Sequence, residues 1–273
     1  MIKDITLGQF FPGNTVIHRL DPRMKIVLTI LYIVAIFLAK NVYSFAAVIL
    51  SAILLVCLSR ISWKTILKSM KPLIFVLAFT TFFNVFWTKG DHLLVQFWVV
   101  EIYLEGIYYA LMMIIRVTTL LMGTTVLLTY TTSPIMLTDG LERLLAPLRK
   151  IRLPVHEFSM MMTIALRFIP TLIEETDKIM SAQKARGADF ESGSLAKRAK
   201  ALVPILIPLF ISAFRRADEL ATAMECRCYR GGDGRTRMTA LKWTKIDIFA
   251  LLIMLAFMGG VIGMNYIPTT IAI

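Results

Sequence analysis

Five stretches of this chain are apolar at nearly every position for about the width of a bilayer core: residues 24–39, 42–58, 73–87, 104–130 and 246–264. The pattern predicts five membrane spans, the first three short enough to need flanking residues or tilt to complete them. Between 131 and 245 the pattern changes to apolar residues every third or fourth position with charge between them, which predicts amphipathic helices. Residues 133–150 read as a short surface helix with Ile135, Leu141, Leu144, Leu145 and Leu148 on its apolar side. Residues 154–185 read as a helix about 45 Å long at 1.5 Å rise per residue. Its apolar stripe is Ile169, Leu172, Ile173, Thr176, Ile179 and Met180, with Glu174, Glu175, Asp177 and Lys178 opposite and Gly187 as the stop. A further helix begins near Leu195, is apolar through 201–214 and is kinked by Pro204 and Pro208. It then steps through Phe210, Phe214, Ala217, Leu220 or Ala221, and Met224 toward Arg227, with Gly231 and Gly232 as its stop. The expected fold is an all-α membrane protein with about five transmembrane helices and a cytosolic or interfacial insert of long amphipathic helices. Its organisation is 1–130 with four spans, 131–245 as the insert, and 246–273 with the last span.

Composition supports a lipid environment, since 57% of the 273 residues are hydrophobic and mean hydropathy is +0.71, more than one soluble core can bury. The formal charge of +12 follows the positive-inside pattern and gives the direction of the spans. Arg19, Arg23 and Lys25 precede the first span, and Arg60, Lys64, Lys68 and Lys71 separate the second from the third, so these segments and the basic insert face the cytoplasm. The first-to-second connection offers only Lys40, and the third-to-fourth carries Lys89, Asp91, His92, Glu101 and Glu105 with little net charge; both face outward, as does the carboxyl terminus. Residues 1–21 lack the continuous apolar core of a cleaved signal, so the first span is expected in the mature protein. Cys57 lies in a span and Cys226 and Cys228 are too close to bridge without strain, so no disulfide framework is expected.

Each long helix of the insert closes on a tripeptide with arginine at its centre, Ala185-Arg186-Gly187 and Cys226-Arg227-Cys228. A cation at a helix carboxyl end is favourable by about 0.3 to 1 kcal/mol in its own right. Two in matching places, each between small residues, also leave a guanidinium free for bidentate docking into an acidic or carbonyl-lined groove. Other chemistry is thin. His18, His92 and His156 are scattered, no HExxH is present, and two thiols at 226 and 228 do not make a zinc site, so neither catalysis nor a metal is expected. Acidic residues alternate with the basic ones along the insert without interleaved aromatics, against nucleic-acid binding. Arg116 within the fourth span is the candidate for the alternative function, a self-contained channel or secondary transporter, although a structural hydrogen bond inside the bundle also accounts for it.

The segments LDPRMK (20–25), RFIPTL (167–172), AQKARGAD (182–189) and AMECRCYRG (223–231) resemble the T component of energy-coupling factor transporters, over most of the chain. The resemblance implies a non-catalytic scaffold of an ATP-driven importer of vitamins or trace metals, whose long helices are coupling helices. Their X-Arg-X tips would each enter a groove of one of two ABC-type ATPases, making Arg186 and Arg227 the docking residues. The second tip departs from Ala-Arg-Gly in having Cys226 and Cys228. ATP would bind the partners, in keeping with the lack here of a Gly-rich phosphate loop, so no cofactor is expected in this chain. A separate substrate-binding membrane subunit, the S component, would rest on the coupling helices. Met161 and Met162 with Val203, Leu206, Phe210 and Phe214 suit a surface that accepts several such subunits, because methionine repacks easily; lipid-facing filler is the plainer account of the same residues.

Overall fold

Asp21 and Pro22 start the first helix of the computed structural model, α1 (Pro22–Leu38). The Asp21 carboxylate accepts the Arg23 N–H at 2.9 Å, and Pro22 fills a first-turn position whose N–H would have no helical partner. The structure describes residues 10–88, 90, 92–97, 100–151, 154–190, 194–232 and 241–267, without the side chains of 93–102, 149 and 195. Residues 1–9, and Lys89 and Asp91 of the third connection, therefore lie outside the described residues, as does the Glu101 side chain. Among the described residues, 10–141 with 241–267 form one unit and 142–232 another.

In the first unit α2 (Val42–Ser59) opens where the Ser44 hydroxyl accepts the Asn41 N–H at 2.9 Å. Then α3 (Trp63–Met70), a 3₁₀ turn over Pro72 (Lys71–Leu73) and α4 (Ile74–Trp87) run on as one 25-residue rod. The third span thus begins ten residues before its expected start at 73, and Lys64, Lys68 and Lys71 stand on its first turns instead of in a loop. A basic interfacial helix and a basic loop have the same composition, so charge alone did not separate them. The third-to-fourth connection, expected to be a loop, contains an antiparallel hairpin of β1 (Leu93–Phe97) and β2 (Val100–Tyr103), with Phe97 opposite Val100. Next, α5 (Leu104–Thr124) widens into a π-helix over Thr125–Tyr130, matching the expected span. After the insert, α9 (Lys245–Met264) starts with the Asp247 carboxylate accepting Thr244 N–H and O–H at 2.8 and 2.7 Å.

Helix α1 buries the largest share of its residues among these helices and packs against both α5 and α9. Tyr32, Ile36 and Ala39 join Val48 of α2 and Val261 of α9 in one buried cluster; Val56, Ile66, Val126 and Tyr130 form a second. Gly123 is required by the first: a Cβ there would overlap the Tyr32 ring. Among the described residues four helical stretches are long and apolar enough to cross a membrane, Val42–Ser59, Trp63–Trp87, Leu104–Tyr130 and Lys245–Met264. With 17 residues, α1 stands at the lower limit of about 17 for a span, and with it the fold is an all-α membrane bundle of about five spans. The outer faces are apolar, Phe75, Phe79, Phe82 and Trp87 of α4 all being exposed, as lipid contact requires. Away from Asp21, Asn265 donates to Leu38 O at 2.7 Å and accepts Lys40 N–H at 3.1 Å, tying the end of α1 to the end of α9. Arg116 donates to Ala39 O at 2.9 Å and stands 5.2 Å over the Phe45 ring, a structural bond inside the bundle.

The insert begins with α6 (Pro134–Leu145) and a 3₁₀ stretch, Ala146–Ile151, covering the predicted surface helix. It continues with α7 (Val155–Ala185) and α8 (Leu195–Cys226). At 31 residues α7 is about 46 Å long. Both helices run unbroken through their internal prolines, Pro170, Pro204 and Pro208. The end of α8 is a correction: the helix stops at Cys226, before the expected glycines at 231 and 232.

Candidate functional site

The ends of α7 and α8 share one backbone design. After α7, Gly187 takes a left-handed conformation (φ 85°), its N–H bonding Lys184 O at 3.0 Å while Ala188 N–H bonds Gln183 O at 3.0 Å. After α8, Cys228 takes the same conformation (φ 53°), its N–H bonding Glu225 O at 2.8 Å while Tyr229 N–H bonds Met224 O at 3.1 Å. This double closure satisfies carbonyls that a helix end otherwise leaves open, and it normally uses glycine. The cysteine therefore reproduces the glycine geometry at some cost in strain. In both, the arginine is the last residue before the reversal.

Ala185, Arg186, Gly187, Cys226, Arg227 and Cys228 are all exposed. Among the described residues no hydrogen bond or ion pair engages the Arg186 or Arg227 side chain. Each guanidinium keeps its planar fork of donors available for a carboxylate or a row of carbonyls.

The two tips point away from each other. Midway along, Glu175 of α7 accepts from the Ser212 hydroxyl and, at 3.1 Å, from Arg216 of α8. Ser212 first, and then Arg216, hold the Glu175 carboxyl below the usual glutamate range. Beyond the second tip Gly232 lies against the His156 ring at the start of α7, where a Cβ would collide with the imidazole. A mid-helix pin plus this closure makes the pair antiparallel, with Arg186 at one end and Arg227 at the other. Glu175 stands eleven residues before Arg186, and Arg216 eleven before Arg227, which puts each tip about 16 Å along its own helix from the pin. The tips are then on the order of 30 Å apart, too far to serve one groove.

Met161, Met162, Val203, Leu206, Phe210 and Phe214 are all exposed, between 40% and 68%. Phe210 and Phe214 stack at 6.5 Å between centroids. Antiparallel pairing does not gather the six: the methionines lie toward the Arg227 end of α7, the others along α8 up to and around the pin. The sequence reading missed the pin itself. By sequence Glu175 belongs to a polar face and Ser212 to an apolar block, and only the serine hydroxyl within 201–214 hints at a contact. Among the described residues no group of three or more His, Cys, Asp or Glu side chains could hold a metal.

A profile of the CbiQ family, described as cobalt transport protein, matches residues 13–238. The chain is 53% identical over 268 residues to the energy-coupling factor transporter transmembrane protein EcfT of Ruminiclostridium cellulolyticum, covering 98% of this chain and 99% of that one. It is 46% identical over 258 residues to the protein of the same name from Bacillus subtilis, covering 94% and 97%. With spans, insert and both arginine tips inside the matched region, the chain belongs to the family of energy-coupling factor transporter transmembrane proteins, membrane subunits of transport complexes.

Proposed function

We propose that this subunit is the non-catalytic scaffold of an ATP-driven importer, holding two cytosolic ABC-type ATPases by Arg186 and Arg227. The observation that carries this reading is the pair of like-built tips at opposite ends of one pinned helix pair. Two identical docking geometries facing opposite ways suit two separate subunits. Each arginine enters a carboxylate- or carbonyl-lined groove as a fork, and ATP stays with the partners, so the chain needs no cofactor. Rotation of either ATPase then acts on a lever about 16 Å long measured from the Glu175–Arg216 pin.

The exposed apolar residues Val203, Leu206, Phe210 and Phe214 of α8 offer the resting surface for a substrate-binding membrane S component carrying a vitamin or trace metal, with Met161 and Met162 at the start of α7 as a separate contact. Met and Phe offer large contact area that adapts to more than one partner. In this arrangement 131–245 is the coupling region between the span groups 1–130 and 246–273, with the amino terminus and insert cytoplasmic and the carboxyl terminus outside. The alternative, a self-contained channel or secondary transporter, loses its best residue, because Arg116 is occupied by Ala39 O and the Phe45 ring.

The test is affinity purification in mild detergent of the wild-type chain and of Arg186→Glu/Arg227→Glu. The wild type is expected to bring down two ATPases and a small hydrophobic subunit. The double variant is expected to insert normally and lose the ATPases; retention of both would remove the docking role.

A further inference from the structure

The segment 20–25 has no part in docking, yet it holds both ends of the insert. The chain leaves the membrane unit after Leu141 and returns at Leu241, and five residues of the segment's neighbourhood tie the stretches flanking these two points, 131–140 and 241–247, together. On the leaving side, Lys25 Nζ donates to Thr131 O at 2.8 Å and to His18 O at 3.3 Å, with Lys25 itself only 1% exposed. Gly140 lies against Pro22, a Cβ there falling 3.0 Å from the proline Cβ. On the returning side, Arg23 donates to Leu241 O at 3.0 Å and stands 5.7 Å over the Trp243 ring, while its other bonds run to Asp21. The Asp21 N–H in turn donates at 2.8 Å to Asp247, which is 0% exposed.

Burying Lys25 and Asp247 is a costly way to make a bundle stable, since apolar residues of similar volume would serve as well or better. What directional bonds supply is one defined geometry between the groups they join. The π-helix contributes: the carbonyl of its last residue, Tyr130, accepts Phe11 N–H at 3.0 Å, and Thr131 O just after it accepts Lys25. From this clasp the path continues into α1 and α9, bonded again at the far end through Asn265 to Leu38 and Lys40.

We propose that Asp21, Arg23, Lys25 and Asp247 form a clasp that passes displacement of the coupling helices into the α1–α9 pair, and so are positioning residues for energy coupling. The inference rests on the scaffold reading. Without the clasp the coupling helices swing with the ATPases and the membrane helices stay still.

The experiment is hydrogen exchange measured by mass spectrometry on the purified complex with its ATPases, with and without ATP·Mg²⁺ and vanadate, for wild type and Arg23→Gln. Wild type is expected to change exchange in α7, α8 and α1. In Arg23→Gln the change stays in α7 and α8 and is lost from α1 and α9, while ATP hydrolysis per assembled complex stays within about two-fold. Arg23→Lys keeps the charge but not the fork, and is expected to give a partial loss. An undiminished change in α1 in Arg23→Gln, or a silent α1 in wild type, overturns the clasp. Loss of assembled complex in both variants overturns it too, in favour of a merely structural role. Failure of the wild type to co-purify ATPases at all would instead refute the scaffold reading.

Discussion

Gly187 and Cys228 occupy the same position, one residue past Arg186 and Arg227, and both are left-handed, with φ of 85° and 53°. A glycine does this freely; a residue with a Cβ costs about 1 to 2 kcal/mol there. Cys228→Gly is therefore expected to tighten the last turn of α8 by about 1 kcal/mol, read as slower amide exchange over 224–229, with ATPase association kept. Cys228→Val, β-branched, should loosen that turn and weaken association.

The Glu175 pin has a pH sign. Because Ser212 and then Arg216 lower the Glu175 carboxyl below its ordinary value, its contribution to the α7–α8 contact is full above the ordinary glutamate range. It disappears as pH falls through the lowered value. Label-to-label distances between α7 and α8 should hold steady at neutral pH and spread on acidification, whereas Glu175→Gln should show a spread that does not depend on acid.

Removing Arg116 tests the channel alternative. Arg116→Leu loses the bond to Ala39 O and the Phe45 contact, worth about 1.5 to 3 kcal/mol for a charged donor. The expected result is a lower unfolding temperature in detergent with partner binding intact. Unchanged stability with altered ion permeation in vesicles would favour a pathway lined by this residue.

Gly123→Ala is expected to cost about 1 to 3 kcal/mol by overpacking, because the new Cβ must displace the Tyr32 ring between α1 and α5. Gly259→Ala, with nothing near its Cβ position, is the control and should leave the unfolding temperature unchanged.

Orientation can be read by thiol labelling. Cys226 and Cys228 are exposed and should react with a membrane-impermeant maleimide only after the cells are opened. A cysteine at the exposed Tyr266, in a Cys-free background, should react in intact cells. The reverse result would invert the proposed topology.

Local signals carried a large part of this fold. The apolar runs marked the membrane helices, the three-to-four spacing marked α6, α7 and α8, and Gly187 marked the end of α7, because each depends on residues within a few turns. The end of α8 was misplaced because Cys228 in a left-handed turn leaves no compositional trace, and the glycines just beyond it do. The start of the third span was set too late because Pro72 and three lysines resemble a loop, yet proline inside a helix early in a rod is absorbed by one 3₁₀ turn.

The sequence by itself determined that the chain lives in lipid, that it carries about five apolar spans, and that two small-flanked arginines terminate two amphipathic helices. Tertiary structure alone decided that those arginines face opposite ways, that α1 is the most buried helix, and that 20–25 holds both ends of the insert. Ser212 and Arg216 meet Glu175 across 37 and 41 positions, and Arg23 meets Leu241 across 218. Such pairings are selected by which surfaces bury best once all helices exist, a property of the assembled bundle that no short stretch of chain encodes.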